Sequence, residues 1–324
     1  MAAWLVRRLI QAAVTFLVVA TMLFVLMRAV PGDPLGRLAD DRPMTPAEQQ
    51  RLKTLFGLDQ PIGTQFRHFA TAAATGDFGV SIEYYPARVN TLIRSRLPAS
   101  LLLGGSVLLV NLGLGIWLGV LQARRRGTAI DRWLTRLSLA GYAMPSFWLA
   151  LVLVSLFAIK WRLLPAAQMT DPLLTPGAGW LVRAGDLAVH LILPVVTLSV
   201  VTIAATMRYQ RTAMLEVLRL DYVRAARARG LDESSVVWHH AWRNALFPVL
   251  TLMGLMLPML VSGSVFVESV FAWPGLGSLA AGAIATRDYP VLMATALLVS
   301  GAVLLSGVLT DIGYYALDPR TRNR

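Results

Sequence analysis

Six stretches of the chain run apolar for about twenty residues each without a lysine, arginine, aspartate or glutamate. They are Leu9 to Met27, Ala99 to Leu121, Leu137 to Ile159, Leu187 to Met207, Ala245 to Val267 and Tyr289 to Thr310. A helix rises about 1.5 Å per residue, so about 20 such residues cross a hydrocarbon core about 30 Å thick. A helix on the outside of a water-soluble core would carry polar positions at helical spacing on one face, and these segments are apolar all round. The pattern predicts an all-α polytopic membrane protein with six transmembrane helices. Composition agrees: 56% of the 324 residues are hydrophobic and 15% charged, far from the balance of a soluble domain.

The first apolar run comes after Arg7 and Arg8, as the core of a secretory leader would. At 19 residues it exceeds a leader's apolar region of about 7 to 15, and Arg28-Ala29-Val30-Pro31 is a poor cleavage site. The segment is expected to stay as a membrane helix.

Charge then sets the orientation. With six spans both termini share one side, and the side rich in Lys and Arg in short loops faces the cytoplasm. Placing the N-terminus inside collects Arg7 and Arg8, the loop Gln122 to Arg136, the loop Arg208 to Asn244 and the tail from Asp311 to Arg324 on the inner face. These pieces hold 17 of the 30 basic residues and 7 of the 18 acidic ones, or +10 of the formal +12. The topology is therefore expected to be N-in, C-in. The same distribution argues against nucleic acid as a partner, because the positive charge is scattered over membrane boundaries and not gathered into a groove with aromatic platforms. Outside, residues 30–97 carry nearly cancelling charges, and Thr45-Pro46-Ala47-Glu48 has the form of a capped helix start. A small, partly helical extracytoplasmic segment is expected there. Glu268 lies at the outer end of the fifth span, Trp273-Pro274-Gly275 and Tyr289-Pro290 read as interfacial anchors, and Met144-Pro145 predicts a kink in the third span.

Chemistry is mostly excluded. There is no cysteine, hence no disulfide and no thiolate. The four histidines lack the i, i+4 stacking of metal ligands. No G-x-x-x-x-G-K-[ST] phosphate loop occurs, since the only lysines are Lys53 and Lys160, and no G-x-S-x-G elbow is present. Ser262-Gly263-Ser264 reads instead as a close-packing point within the fifth span. The spans hold His190 near one end and little else that ionises, which disfavours a carrier driven by protons or sodium. The chain is therefore expected to be no enzyme, to bind no metal or cofactor of its own and to take its energy from elsewhere.

The place where that energy enters is expected to be a polar island between the fourth and fifth spans, Asp221 to Pro248, DYVRAARARGLDESSVVWHHAWRNALFP. Asp221 to Arg229 favours helix, and Ala225 with Ala226 leaves a smooth spot for close approach. Gly230 suits a left-handed helix end, Asp232 or Ser234 suits the cap of a second short helix, and Pro248 suits the opening turn of the next span.

These residues resemble the permease subunits of bacterial ATP-binding cassette importers, whose cytoplasmic loop carries an E-A-A-x-x-x-G pattern. Arg224-Ala225-Ala226 with Gly230 after it falls on that pattern, with Arg224 in the acidic position and Asp221 three residues earlier on the same face. The form is similar to that of dipeptide and oligopeptide permeases of the B type, and the resemblance extends over nearly the whole chain. It is carried by Val30-Pro31-Gly32-Asp33-Pro34, Phe56-Gly57-Leu58-Asp59-Gln60-Pro61, Gly76-Asp77-Phe78-Gly79-Val80-Ser81, Leu97-Pro98-Ala99-Ser100 and Met144-Pro145-Ser146-Phe147-Trp148. It continues through Glu268 to Gly277, Arg287-Asp288-Tyr289-Pro290-Val291 and Leu317-Asp318-Pro319-Arg320.

The resemblance implies the type I importer permease fold in a bacterial inner membrane, importing di- or oligopeptides, while some relatives carry nickel, haem or sugars. Implied partners are a homologous second permease in a heterodimer, two ATPase subunits holding ATP and Mg, and an extracytoplasmic solute-binding protein. The ATPase-coupling residues would be Asp221, Arg224, Ala225, Ala226, Gly230, Leu231, His239, His240, Arg243 and Asn244, with a coupling helix near Leu231 to Arg243. Glu268, Met144 and Ser146 stand as candidates for an outer gate or substrate path. The implied organisation is residues 1–30 as cytoplasmic N-terminus and first helix, 31–97 as the extracytoplasmic segment, 97–315 as the permease core including the loop 208–246, and 316–324 as the tail.

Overall fold

The computed structural model describes residues 2–29, 45–175 and 177–317, and these are helical apart from turns, an irregular stretch over residues 161–175 and one isolated bridge, Val80 with Arg88. The Val30–Pro34 motif and most of the C-terminal Leu317–Arg320 motif lie outside the described residues. Five helices are long and apolar enough to cross a membrane: Val6–Ala29 within α1 (Ala2–Ala29), Val89–Arg124 (α4), Trp180–Val217 (α7), Phe247–Val270, and Tyr289–Tyr314 within α13 (Tyr289–Leu317). The sixth expected span is a bent pair, α5 (Ala129–Ala143) and α6 (Ser146–Lys160), turned through 101°. Pro145 has no N–H to give and pushes its predecessor out of the helical region. Met144 accordingly sits at φ −83°, ψ 123°. The expected kink is thus a full break.

Two other expectations change. Gly263 adopts φ +65° and interrupts the fifth span, leaving α10 (Phe247–Ser262) and α11 (Val265–Val270), instead of packing inside a continuous helix. The inner loop expected over Gln122 to Arg136 is only residues 125–128, because α4 continues to Arg124 and Thr128 caps α5 by accepting the Asp131 N–H. Likewise α7 continues ten residues past Met207, where Ala213 and Met214 still find apolar partners. Hydropathy marks the part of a helix in hydrocarbon, whereas the helix itself ends where its buried face ends.

By contact the chain falls into two compact units. The first comprises residues up to Ser100, Val261–Val265 and Pro274–Leu305. Here α2 (Pro46–Leu55) begins with the expected capping box, Glu48 N–H to Thr45 Oγ1 at 3.2 Å and Thr45 N–H to Glu48 Oε2 at 3.0 Å. Helix α3 (Ile62–Thr75) lies along α1, with Phe24 edge-on to Phe66 at 5.2 Å and beside Phe69 at 5.5 Å. Val89 and Ile93 of α4 pack with Leu276, Leu279 and Ala283 of α12 (Leu276–Thr286) and with Val291 and Leu292 of α13.

The buried Asp288 joins two of the motifs noted in the sequence. Its carboxylate accepts the Ser81 hydroxyl, the Glu83 N–H at 3.2 Å and the Val291 N–H at 3.3 Å, so it caps α13 while holding the 76–81 motif. A cavity of about 490 Å³ lies beside it, lined by Phe24, Arg28, Phe56, His68, Phe78 and Tyr289 among others. Replacing Asp288 by Ala removes the acceptor for three donors, two of them buried, at about 1–3 kcal/mol per donor left unpaired. Thermal unfolding of the purified protein should show a lower midpoint for Asp288→Ala; an unchanged midpoint would remove this residue's structural role.

The second unit comprises Leu101–Leu260, Phe266–Trp273 and the residues from Ser306 on. Lipid tails are as apolar as leucine, so helices here gain by approaching closely and not by hiding oil from water. Gly115 and Gly119 give α4 that approach: a Cβ at Gly119 would lie 2.8 Å from the Met207 carbonyl oxygen and 2.6 Å from Gln210 Cβ on α7. Trp273 is 1% exposed and serves as core, so it is no headgroup-level anchor. Among the residues whose burial is described, the exposed tryptophans are Trp161 and Trp180, at the outer ends of α6 and α7, together with Trp117, Trp133 and Trp148. Gly119→Val should separate α4 from α7 and cost about 1–3 kcal/mol or more, read as an earlier thermal transition in detergent; wild-type stability would contradict the close packing.

Candidate coupling surface

The island forms a two-helix hairpin. Helix α8 (Asp221–Ala228) ends in a full Schellman arrangement around Gly230 at φ +78°, with Gly230 N–H to Arg227 O at 2.9 Å and Leu231 N–H to Ala226 O at 3.4 Å. The second element, α9 (residues 233–245), is capped by Asp232, which accepts the Ser235 N–H at 3.0 Å. It runs through Glu233–Ser235, a wider π turn over Val236–Ala241 and Trp242–Ala245. Phe247 and Pro248 then open α10.

Three contacts fix the hairpin. Val223 and Ala226 bury against Val236. Arg227 grips both Glu233 carboxylate oxygens with one edge of its guanidinium, Nε to Oε2 at 3.0 Å and Nη2 to Oε1 at 2.7 Å. Asn244 donates to the Tyr222 hydroxyl at 2.6 Å, and that hydroxyl donates to the His240 carbonyl at 3.3 Å. The hairpin rests on the membrane helices through one face of α9: Val237, Ala241 and Ala245 pack on Val120 and Ala123 of α4 and on Ala213 and Met214 of α7, all fully or nearly fully buried.

The opposite face is left to solvent. Asp221, Arg224, Ala225, Gly230, Leu231, His239, His240, Arg243 and Asn244 are exposed, and Leu231 is 42% exposed despite its apolar side chain. Arg224 pairs with Asp221 within α8. Ala226, expected on the smooth spot, is turned inward, so that spot is Ala225 alone. Sequence reasoning missed Tyr222, Arg227 and Glu233, which clamp the hairpin. A legible signal existed for one of them, an acidic residue just past the glycine turn from a basic one.

The other candidate positions lie elsewhere. Met144 and Ser146 sit half-buried at the break between α5 and α6, and Phe147 meets Phe266 of α11 at 6.3 Å. Glu268 on α11 is fully buried. The lengthened helices also carry more ionisable residues than the apolar runs suggested. Asp186 pairs with His190 at 3.2 Å near the start of α7, and Asp131 pairs with Arg211 at 2.9 Å. Among the described residues no group of three or more acidic or histidine side chains is placed to hold a metal ion.

This is a helical membrane-transport subunit by architecture, with a polar hairpin seated on its inner helix ends. Residues 114–323 match the family described as "Binding-protein-dependent transport system inner membrane component", and residues 1–101 match its N-terminal companion, "Binding-prot-dependent transport system membrane comp, N-term". The chain belongs to this family, a multi-pass component of the bacterial inner membrane. It is 37% identical to the oligopeptide transport system permease protein AppB of Bacillus subtilis over 99% of both chains. It is 34% identical to the dipeptide transport system permease protein DppB of Escherichia coli K12 over 99% of both, and 37% to the di/tripeptide transport system permease protein DppB of Pseudomonas aeruginosa over the full length of each. Its fold is like that of a chain in inward-facing structures of the MetNI methionine ABC transporter, with TM-score 0.52 at 17% identity, covering 70% of this chain and 96% of that one.

The Arg227 guanidinium holds the Glu233 carboxyl below its ordinary value of 4.5, against a smaller opposing effect of burial. A depressed carboxylate stabilises the fold above its unfolded pKa, and that contribution is lost as pH falls through the lower folded value. The pair is solvent-exposed, so Glu233→Gln should loosen α8 by only about 0.5 kcal/mol at pH 7. Amide exchange in α8 should report this loosening at pH 7 and lose it in acid below the folded pKa; an effect independent of pH would contradict the ion pair.

Proposed function

We propose that this chain is one half of the translocation pathway of an ATP-driven importer of di- or oligopeptides. Its partners are a homologous second permease, two ATPase subunits that hold ATP and Mg, and an extracytoplasmic solute-binding protein. The single observation that carries this reading is the hairpin of residues 221–248: one face is anchored in apolar contacts with α4 and α7, the other presents charge and one bare leucine to the cytoplasm. A helix used only to fix topology has no need of a preformed, capped and clamped outer face. Peptide as cargo is supported by likeness over the full length to permeases named for dipeptides and oligopeptides.

In this reading α9 is the coupling helix and lies in a groove of one ATPase. ATP binding draws the two ATPases together and carries α9 with them. The close-packed seat passes that displacement to the inner ends of α4 and α7, and the permease pair switches between inward-facing and outward-facing arrangements. Hydrolysis resets it. The break at Met144–Ser146 and the buried Glu268 serve the outer gate, where a bent span meets α11 through Phe147 and Phe266. The functional division is membrane anchor 1–30, extracytoplasmic segment 31–97, permease core 97–315 and tail 316–324.

The clean probe of docking is the exposed face. Ala225→Glu alone, and Leu231→Asp with Arg243→Glu, leave every buried contact of the hairpin in place. Each should preserve membrane insertion while cutting peptide uptake by about tenfold or more, as truncated or repelled interface anchors do. Gly230→Pro should do the same by dismantling the turn. Uptake at the parent rate in all three, measured with a labelled dipeptide in cells, would overturn the coupling assignment; loss of uptake for another solute in place of peptide would overturn the cargo.

A further inference from the structure

The inner ends of α4, α5 and α7 are stitched by a partly buried ionic cluster that the coupling contacts leave unused. Asp131, 5% exposed on the first turn of α5, accepts two N–H groups from one edge of the Arg211 guanidinium on α7, Nε to Oδ1 at 2.9 Å and Nη2 to Oδ2 at 3.0 Å. Its Oδ2 also accepts the Gly127 N–H at 2.9 Å from the turn before α5. From α4 the buried Gln122 donates to the Asp131 carbonyl at 3.2 Å and to the Thr135 hydroxyl at 2.7 Å. Such a cluster is geometrically demanding, because removing Arg211 leaves the Asp131 carboxylate, whose side chain is 8% exposed, without its charge partner.

Its position gives it a mechanical meaning. Val120 and Ala123 on α4, and Ala213 and Met214 on α7, form the seat of α9; Gln122 falls between the first two in the sequence and Arg211 two residues before the third. No residue of α5 belongs to that seat cluster. Displacement of α9 therefore reaches α4 and α7 by direct packing, and the cluster at Asp131 adds a polar, orientation-dependent tie to α5. Helix α5 is the inner arm of the bent span, whose 101° break lies at Met144-Pro145. We propose that Asp131 and Arg211 are positioning residues that make α5 move with the coupling helix, so that a push on α9 is delivered to the break in the bent span. A bidentate fork fixes direction as well as distance, which a single point charge does not.

This proposal rests on the coupling role of the hairpin, and the test separates the two. The full transporter is reconstituted in vesicles with its ATPases and binding protein, and peptide accumulated per ATP hydrolysed is measured. Arg211→Lys keeps the charge and loses the fork; Asp131→Asn keeps an acceptor and loses the charge. Both should assemble and hydrolyse ATP within about twofold of the parent while peptide per ATP falls about tenfold or more. The exchange Asp131→Arg with Arg211→Asp should recover part of that loss. An unchanged ratio in Arg211→Lys, or transport and hydrolysis falling together with the amount of assembled complex, would overturn the proposal and leave a structural staple. Because the chain has no cysteine, His239→Cys alone reports docking by cross-linking to the ATPase. No cross-link would sink the coupling reading and this proposal with it; a cross-link with an unchanged ratio would sink the proposal alone.

Discussion

The packing of Val237, Ala241 and Ala245 on the inner ends of α4 and α7 is the contact on which the proposed coupling depends. These are small side chains, and smallness is the point: they let the axis of α9 lie close to the membrane helices, where contact is hard and displacement is not absorbed by soft rotamers. On the other side of α9 the clamp made by Tyr222, Arg227 and Glu233 holds α8 against it. The hairpin thus has a closely packed inner face and a polar outer face, which the proposed coupling role requires.

The second constraint is the bilayer, which leaves no backbone polar group unpaired at low cost. It explains why the described spans are helices, and why the sharpest bend, 101° at Met144-Pro145, falls next to a residue that cannot donate a hydrogen bond. It also explains where ionisable groups are found. Asp131 with Arg211, and Asp186 with His190, are paired within their own unit near helix ends. They sit where a charge has both a partner and a route towards water.

Much of this is legible in the sequence because its signals are local. Length and apolarity mark all six spans; Thr45, Gly230 and Asp232 are recognisable from the chemistry of helix ends alone. What escapes is contact between segments distant in sequence. Nothing in the order of residues says that Asp131 meets Arg211, that Asp288 meets Ser81, or that Ala226 turns inward while Ala225 turns out. Tryptophan's preference for the headgroup level points to Trp273 as an interfacial anchor, yet burial in a tightly packed turn wins. Gly263 has the sequence surroundings of a packing glycine in a continuous helix, and only its left-handed φ reveals the interruption.

In the proposed coupling, force enters through the outer face of the 221–245 hairpin while its inner face stays seated. Hydrogen–deuterium exchange on the permease in lipid, with and without its ATPase subunits, tests this most directly. Backbone amides of the π turn at Val236–Ala241 and of residues 229–232 should become slower to exchange when the ATPases are added, while those of the inner ends of α4 and α7 are protected in both conditions. Exchange in the hairpin unaffected by the ATPases, or protection appearing instead on the extracytoplasmic helices, would contradict the account.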